Sequence, residues 1–365
     1  MRILLISPLP PPAGGIATWT QLYLKSKIAK DNEIDLVNTA VTGLRVNNFV
    51  KRSIISEIKR ALKIRNCVKN YIKKNKYDLV HLNTSCSKLG MFRDYMCAKL
   101  ANKNNIKLVL HCHCDTAYMI NGKISEFIFK KLCKASDNII VLNTNSKEHL
   151  KRLTSLSSNI IPNFFDINTY KNINKKYISR EINEIIYVGH IIKSKGCLEI
   201  IEVAKKMPNI TFKLIGYLSD EIKEINVTKN VKYLGEISKE DVINNMLSAD
   251  LLLFPSHTEG FPNVVLEAMA CGLPIIASEV GAIPDMLEDH GGIIVPVNNV
   301  DEIIKSIFKI SDINERKRIS QWSQAKVIRE YSVETIMKRI FKEYTSIVKE
   351  RVDEKESRII NINFK

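Results

Sequence analysis

No apolar run in the 365-residue chain approaches the roughly 18 residues that a membrane-spanning helix needs. With 45% hydrophobic and 26% charged residues the sequence reads as a soluble globular chain. The opening MRILLISPLPPPAGG lacks a positive leader followed by a long apolar core, so it reads as a first β-strand and loop, and a cytosolic location is expected. The 8 cysteines have no framework spacing and sit in apolar surroundings, which points to reduced thiols. Zinc-finger spacing and RNP-type aromatic sequence are both missing, so nucleic acid is not the expected partner. No G-x-G-x-x-G follows the first strand of either half, which argues against a nicotinamide oxidoreductase.

Carboxylates are scarce in one half only. Residues 1–180 hold 31 Lys and Arg against 11 Asp and Glu, a net charge of +20, whereas residues 181–365 come to −4. The densest basic stretch, KRSIISEIKRALKIRNCVKNYIKKNK (51–76), spaces Ile54, Ile58 and Leu62, then Ile64, Val68 and Ile72, at helical intervals with Lys and Arg between them. It reads as a basic amphipathic helix or helix pair. Such a helix either packs its apolar stripe on a core or docks on an anionic membrane surface.

Strand and helix signals alternate along the chain. RILLIS, EIDLVNT, YDLVHLN, IKLVLHCHC and NIIVLN are short apolar runs separated by helical spacing, and IIYVGH, TFKLIGY, VKYLGE, DLLLFPS and LPIIAS repeat the pattern. Strand, crossover, strand implies parallel sheets covered on both faces. The same architecture is made twice, with domains expected at 1–170 and 185–335 and a polar Lys/Asn-rich linker at 171–184. A helix at 336–350 is expected to pack back toward the first domain, and the charged tail 351–365 is expected to be partly disordered.

HTEGFPNVVLEAMACGLPIIAS (257–278) keeps two carboxylates, Glu259 and Glu267, in an otherwise apolar segment. Glu259 falls in the loop after a strand and Glu267 about one turn into the next helix. The amides of Gly260, Phe261 and Asn263, around Pro262, sit at that helix's N-terminus, which suits a phosphate. A carboxylate one turn deeper suits the diol of a ribose, each charge-assisted bond being worth about 1.5–3 kcal/mol. A nucleotide diphosphate bearing a polyol is the implied ligand.

This segment resembles the Glu, seven residues, Glu signature of the retaining glycosyltransferases of family four. The resemblance implies an α/β GT-B fold: two facing Rossmann-like domains with a cleft between them and a C-terminal crossover helix. It assigns Glu259, Gly260, Phe261, Pro262 and Asn263 to the donor sugar and phosphate, and Glu267 to the nucleotide ribose. YVGHIIKSKG resembles the family's Gly-Arg, four residues, Lys-Gly motif. It puts Lys195 on the donor diphosphate, but His190 stands where the family has Arg. The missing charge then passes to Lys193 or a protonated His190, or phosphate binding leans on Lys195 and the amides. PPPAGGIATW resembles the family's N-terminal glycine loop, placing Gly14 and Gly15 beside the donor diphosphate and the acceptor.

LVLHCHCD puts His111 and His113 on one face of a strand and Cys112 and Cys114 on the other, which argues against a shared metal. The family carries a functional His at this strand end, near the reacting sugar; His113 is the first choice and His111 the second. Asn163 and Asp166, in IPNFFD, are expected to organise a turn. No Asp-x-Asp motif appears, so neither metal nor cofactor is expected, with His113, Glu259 and Lys195 in the catalytic roles. The resemblance implies a retaining transfer from a nucleotide-diphosphate sugar, UDP- or GDP-linked, to a glycan acceptor. Lipid linkage of that acceptor would explain the basic first half and place the enzyme at the inner face of a membrane. The rival readings are a nucleotide-sugar epimerase or phosphorylase on the same fold, and a non-catalytic donor-binding subunit.

Overall fold

The computed structural model describes residues 1–11, 14–41, 54–170, 178–288 and 290–363, with side chains described as far as Lys349. Two compact units divide it: Met1–Phe164 with Val333–Lys365, and Phe165–Ser332.

The first unit runs β1 (Arg2–Ser7), α1 (Gly15–Lys25), α2 (Lys27–Lys30), β2 (Glu33–Asn38), α3 (Ile54–Lys74), β3 (Leu79–Thr84), α4 (Lys88–Lys103), β4 (Lys107–Cys112), α5 (Thr116–Met119), α6 (Lys123–Lys134), β5 (Asn138–Val141), α7 (Thr144–Thr154) and β6 (Asn159–Ile160). Its strands are ordered β2-β1-β3-β4-β5-β6, all parallel. Strand side chains alternate between two cores, which is why the runs are apolar throughout. Leu4, Ile6, Val80, Leu82 and Leu108 pack with α3, α4 and α6, while Ile3, Leu5, Leu79 and Val109 pack with α1 on the opposite face.

The second unit runs β7 (Glu184–Val188), α8 (Cys197–Lys206), β8 (Thr211–Ile215), α9 (Asp220–Lys223), β9 (Val231–Gly235), α10 (Lys239–Ser248), β10 (Leu251–Phe254), α11 (Asn263–Ala270), β11 (Ile275–Ser278), α12 (Ile283–Leu287), β12 (Ile293–Val295), α13 (Val300–Lys309) and α14 (Ile313–Glu330). Its order is β12-β11-β10-β7-β8-β9, again parallel. The chain builds outward from β7 in one direction and from β10 in the other. The loops after β7 and β10 therefore meet at the point where strand order reverses, the place where such sheets take ligands. At the opposite edge Asp250, just before β10, ties the amino ends of these two strands together by accepting from the amides of Asn183 (2.9 Å) and Glu184 (3.0 Å).

The last helix, α15 (Val333–Asn363), returns to the first unit. Its Ile336, Met337, Ile340 and Tyr344 are fully buried in the cluster that holds Trp19 and Tyr23. The helix extends to Asn363, past the boundary expected at residue 350, with neither Gly nor Pro beyond Ser332 to end it. The basic stretch is also revised. It is one helix from Ile54, residues 51–53 lying outside the described residues, and only its second apolar stripe is core. Ile64 and Val68 are buried, whereas Ile54, Ile58 and Leu62 face solvent. All 8 cysteines are free thiols. No described helix is long and apolar enough to cross a membrane.

Candidate donor site and histidine network

In the second unit, the loop after β7 ends in a short 3-10 turn, Lys193–Lys195, and Gly196 then caps α8. The Lys195 Nζ donates to Glu259 Oε1 at 2.6 Å and to the Thr258 carbonyl at 3.1 Å. Ser256 Oγ donates to the same Glu259 Oε1 at 2.8 Å. Both bonds therefore fall on one oxygen of Glu259, which orients the carboxylate before any ligand arrives. The two loops are held at contact distance by glycine. Gly196 has φ +76°, and a Cβ there would lie 2.0 Å from the Pro255 carbonyl oxygen.

Gly281 performs the corresponding task on the far side of the Glu259 loop. It has φ +55°, a Cβ on it would lie 2.1 Å from the Glu259 carbonyl oxygen, and the neighbouring Ala282 amide donates to the Gly260 carbonyl at 3.0 Å. A further clamp is His257: its amide donates to the Ser194 carbonyl (3.1 Å) and its Nε2 lies 2.9 Å from Glu199 Oε1 on α8. The Phe261 ring is buried and meets Tyr331 at 5.9 Å between centroids, so the side chain anchors the loop. Pro262 caps α11 and Asn263 opens it, so its first-turn amides point out of the helix end.

Glu267 lies on α11, 3.6 Å from the Lys239 Nζ at the start of α10. Burial pushes its pKa up, and Lys239 opposes the shift. The buried Tyr170 hydroxyl also feels Glu267, the carboxylate adding to the rise that burial imposes on the phenol. His190 is exposed, with its ring 6.3 Å from that of Tyr217. Lys193 forms an exposed ion pair with Glu221 at 3.5 Å. Lys195 is thus the cation drawn into the loop cluster, while His190 and Lys193 stay on the surface.

In the first unit, His111 and His113 share one face with ring centroids 4.0 Å apart, and Cys112 and Cys114 are buried on the other. His113 Nε2 and His81 Nε2 both reach Asn83 Oδ1, at 3.0 and 2.9 Å. An amide oxygen only accepts, so both imidazoles carry their proton on Nε2. His81 Nδ1 then accepts from the Tyr344 hydroxyl of α15, and Asn83 Nδ2 donates to Ser7 Oγ at 2.8 Å. Burial holds all three imidazoles neutral at ordinary pH, lowering His81 to about 4, His113 to about 3 and His111 well below the usual range. Neither ring nitrogen of the fully buried His111 has a protein partner, and its ring lies edge-on to Trp19. His113 is the more exposed of the pair, just past the end of β4.

Gly14 and Gly15 open α1 at the carboxyl edge of the same sheet. Both are exposed, and a Cβ on either would meet nothing within 4 Å. Packing within the protein does not require glycine there. Asp166 makes the expected turn, accepting from the Asn168 amide at 3.0 Å. No group of three or more metal-ligating side chains occurs among the described residues.

The sequence reading did not single out Ser256, Gly281, Glu199, Lys239 or Tyr170. Of these only Gly281 carried a signal, a glycine between a strand and a Pro-initiated helix.

Comparison with known proteins follows the same division of the chain. The model for glycosyl transferases group 1 matches residues 169–326, and that for glycosyltransferase family 4 matches residues 14–169. An uncharacterised glycosyltransferase of Methanocaldococcus jannaschii is 26% identical over 336 residues, covering 87% of this chain and 90% of the relative. The UDP-Gal:α-D-GlcNAc-diphosphoundecaprenol α-1,3-galactosyltransferase of Escherichia coli is 25% identical over 301 residues, with 74% and 75% covered. Among solved structures, Anabaena HepE in complex with UDP-glucose superposes with a TM-score of 0.72 at 19% identity, over 95% of this chain and all of that one.

Proposed function

The chain belongs to the glycosyltransferases of family four, with the GT-B fold, and from that membership we propose that it transfers a hexose from a UDP- or GDP-linked sugar to a lipid-linked glycan with retention of configuration and without a metal. The family's polysaccharide and glycolipid enzymes set the process in which it acts. The observation that carries the reading is the Lys195–Glu259–Ser256 cluster beside the α11 N-terminus, held in shape by Gly196 and Gly281.

In this reading Lys195 and the first-turn amides of α11 meet the negative charge that grows on the leaving diphosphate. Glu259, fixed through Oε1, turns Oε2 to the donor sugar hydroxyls. Glu267 takes the ribose diol. As the bond from the anomeric carbon to the phosphate oxygen breaks, the acceptor oxygen attacks from the same side. Its proton passes to the departing phosphate oxygen, so configuration is kept without a covalent enzyme intermediate. In the first unit, the neutral imidazole of His113 and the open backbone at Gly14 and Gly15 are the groups offered to a substrate. A polyprenyl-diphosphate glycan as acceptor, and an anionic membrane surface met through α3, account for the basic charge of this unit.

The test is a thermal-shift screen against UDP, GDP, ADP, CMP and their sugars, followed by transfer assays on polyprenyl-diphosphate glycans. A ligand that binds only the folded protein raises Tm. A shift with one nucleotide, lost in Glu267→Ala, supports the reading. No shift with any nucleotide rejects it.

A further inference from the structure

The structure places an exposed apolar rim where soluble surface is expected. Helices α3, α4 and α6 contact one another in that order and pack on one face of the first sheet through Val68, Met91 and Phe129. Each follows a strand and runs back against it, so all three begin at the carboxyl edge of the sheet. Their opening turns carry large apolar side chains that the core leaves out. Ile55 and Ile58 lie on α3, Leu89 and Phe92 on α4, Ile124 and Phe127 on α6; Ile124 is 73% exposed and Phe127 61%.

The charges around the rim have one sign. The three helices hold seven, four and four Lys and Arg, against one carboxylate each. Two of those carboxylates are out of play: Glu57 is bound by Arg60 at 2.7 Å and Asp94 by Arg93 at 2.6 Å, both buried. Of the three helices' own carboxylates, Glu126 is left to oppose Lys59, Lys63, Lys88, Lys123, Lys130 and Lys131. A groove for another protein would gain from matched charges of both signs. Apolar side chains ringed by lysine ammonium groups suit a bilayer with anionic headgroups, the rings and aliphatic chains entering the acyl boundary while the lysines stay with phosphate.

We propose that the opening turns of α3, α4 and α6 form one docking rim that inserts into an anionic bilayer, with Ile124 and Phe127 as its most deeply entering side chains. This deepens the lipid-linked acceptor reading and rests on it for the reason a membrane is approached. It also selects an end of α3. The rim uses the first turns, whereas Lys73 and Lys74 lie about 25 Å away along a helix of 21 residues.

The experiment is co-sedimentation of the full chain with phosphatidylcholine vesicles and with vesicles containing 30% phosphatidylglycerol, without nucleotide. Wild type is expected to sediment with the anionic vesicles and not with the neutral ones. Ile124→Glu with Phe127→Glu is expected to weaken that binding at least 10-fold while leaving Tm and the nucleotide-induced shift in place. Phe308→Glu with Ile328→Glu removes equally exposed apolar side chains from the second unit and is expected to change nothing. Wild type that ignores anionic vesicles overturns the proposal, as does unchanged binding by the Ile124/Phe127 variant or equal loss in the Phe308/Ile328 control. So does concentration-dependent self-association abolished by Ile124→Glu and Phe127→Glu without vesicle binding, which would assign the rim to a second copy. Because binding is read without donor and the nucleotide shift without lipid, each reading fails on its own assay.

Discussion

Gly281→Ala is the sharpest probe of the site, because it acts on the Glu259 loop through its backbone and alters no side chain of the Lys195–Glu259–Ser256 cluster. Its new Cβ would begin 2.1 Å from the Glu259 carbonyl oxygen. Real contacts stay beyond about 3 Å, so the Glu259 backbone must retreat by about 1 Å, and a misplacement of that size near the chemistry costs up to about 100-fold in rate. Two stability terms add. A side chain held at φ +55° costs about 1–2 kcal/mol, and forcing atoms into a packed region costs about 1–3 kcal/mol. The variant should therefore lose about 2–5 kcal/mol in urea unfolding followed by a probe in the second unit, together with most of its transfer activity. Gly235→Ala is the control: it shares a positive φ of +71° but has nothing within 4 Å of its Cβ, so it should show the backbone cost alone and keep activity. If Gly281→Ala kept the wild-type rate and unfolding midpoint, the Glu259 loop would not be pinned where the structure places it.

Three further outcomes are expected. Glu267→Gln should be more stable than wild type at neutral pH and bind nucleotide about 10- to 100-fold more weakly, the proposed bonds to the ribose losing their charge assistance. A carboxyl whose folded pKa is raised contributes stability below its unfolded pKa and loses it as pH rises through the folded value. The stability gain should therefore vanish on acidification below the usual Glu range, as Tm against pH would show. Lys195→Met should abolish the nucleotide-induced Tm shift with little change in the Tm of the free protein, since the lysine is only partly buried. His111→Phe should leave transfer activity intact and raise Tm by a few degrees: each unpaired buried nitrogen costs about 1–3 kcal/mol, against about 1–3 kcal/mol for fitting the larger ring. A loss of activity in that variant would refute a purely internal position for His111.

The doubly repeated α/β pattern, the two glutamates and Lys195 were legible because each is local. Strand runs alternate with helical spacing, and the signature residues lie within one loop and helix. The part Gly281 plays was not, since it depends on the loop after β11 meeting the loop after β10, and Ser256 reaches Glu259 only through the fold of the loop they share. The exposed rim was half visible. Periodicity identified an apolar stripe at Ile54, Ile58 and Leu62, but whether such a stripe faces a core depends on where the sheet edge stops beneath it. The helix boundary expected at residue 350 was not legible either, because beyond Ser332 the chain carries neither Gly nor Pro to mark an end.

The return of α15 to the first unit sets an order of assembly during synthesis. The second unit, Phe165–Ser332, is continuous in sequence and can complete its core as soon as it leaves the ribosome. The first unit cannot. Until Ile336, Met337, Ile340 and Tyr344 emerge, the face of its sheet around Trp19 and Tyr23 lacks its cover and His81 lacks its hydroxyl partner. The half that is translated first is thus the half that finishes last, and a ribosome stalled before Val333 would hold out an uncovered apolar surface for chaperones to bind.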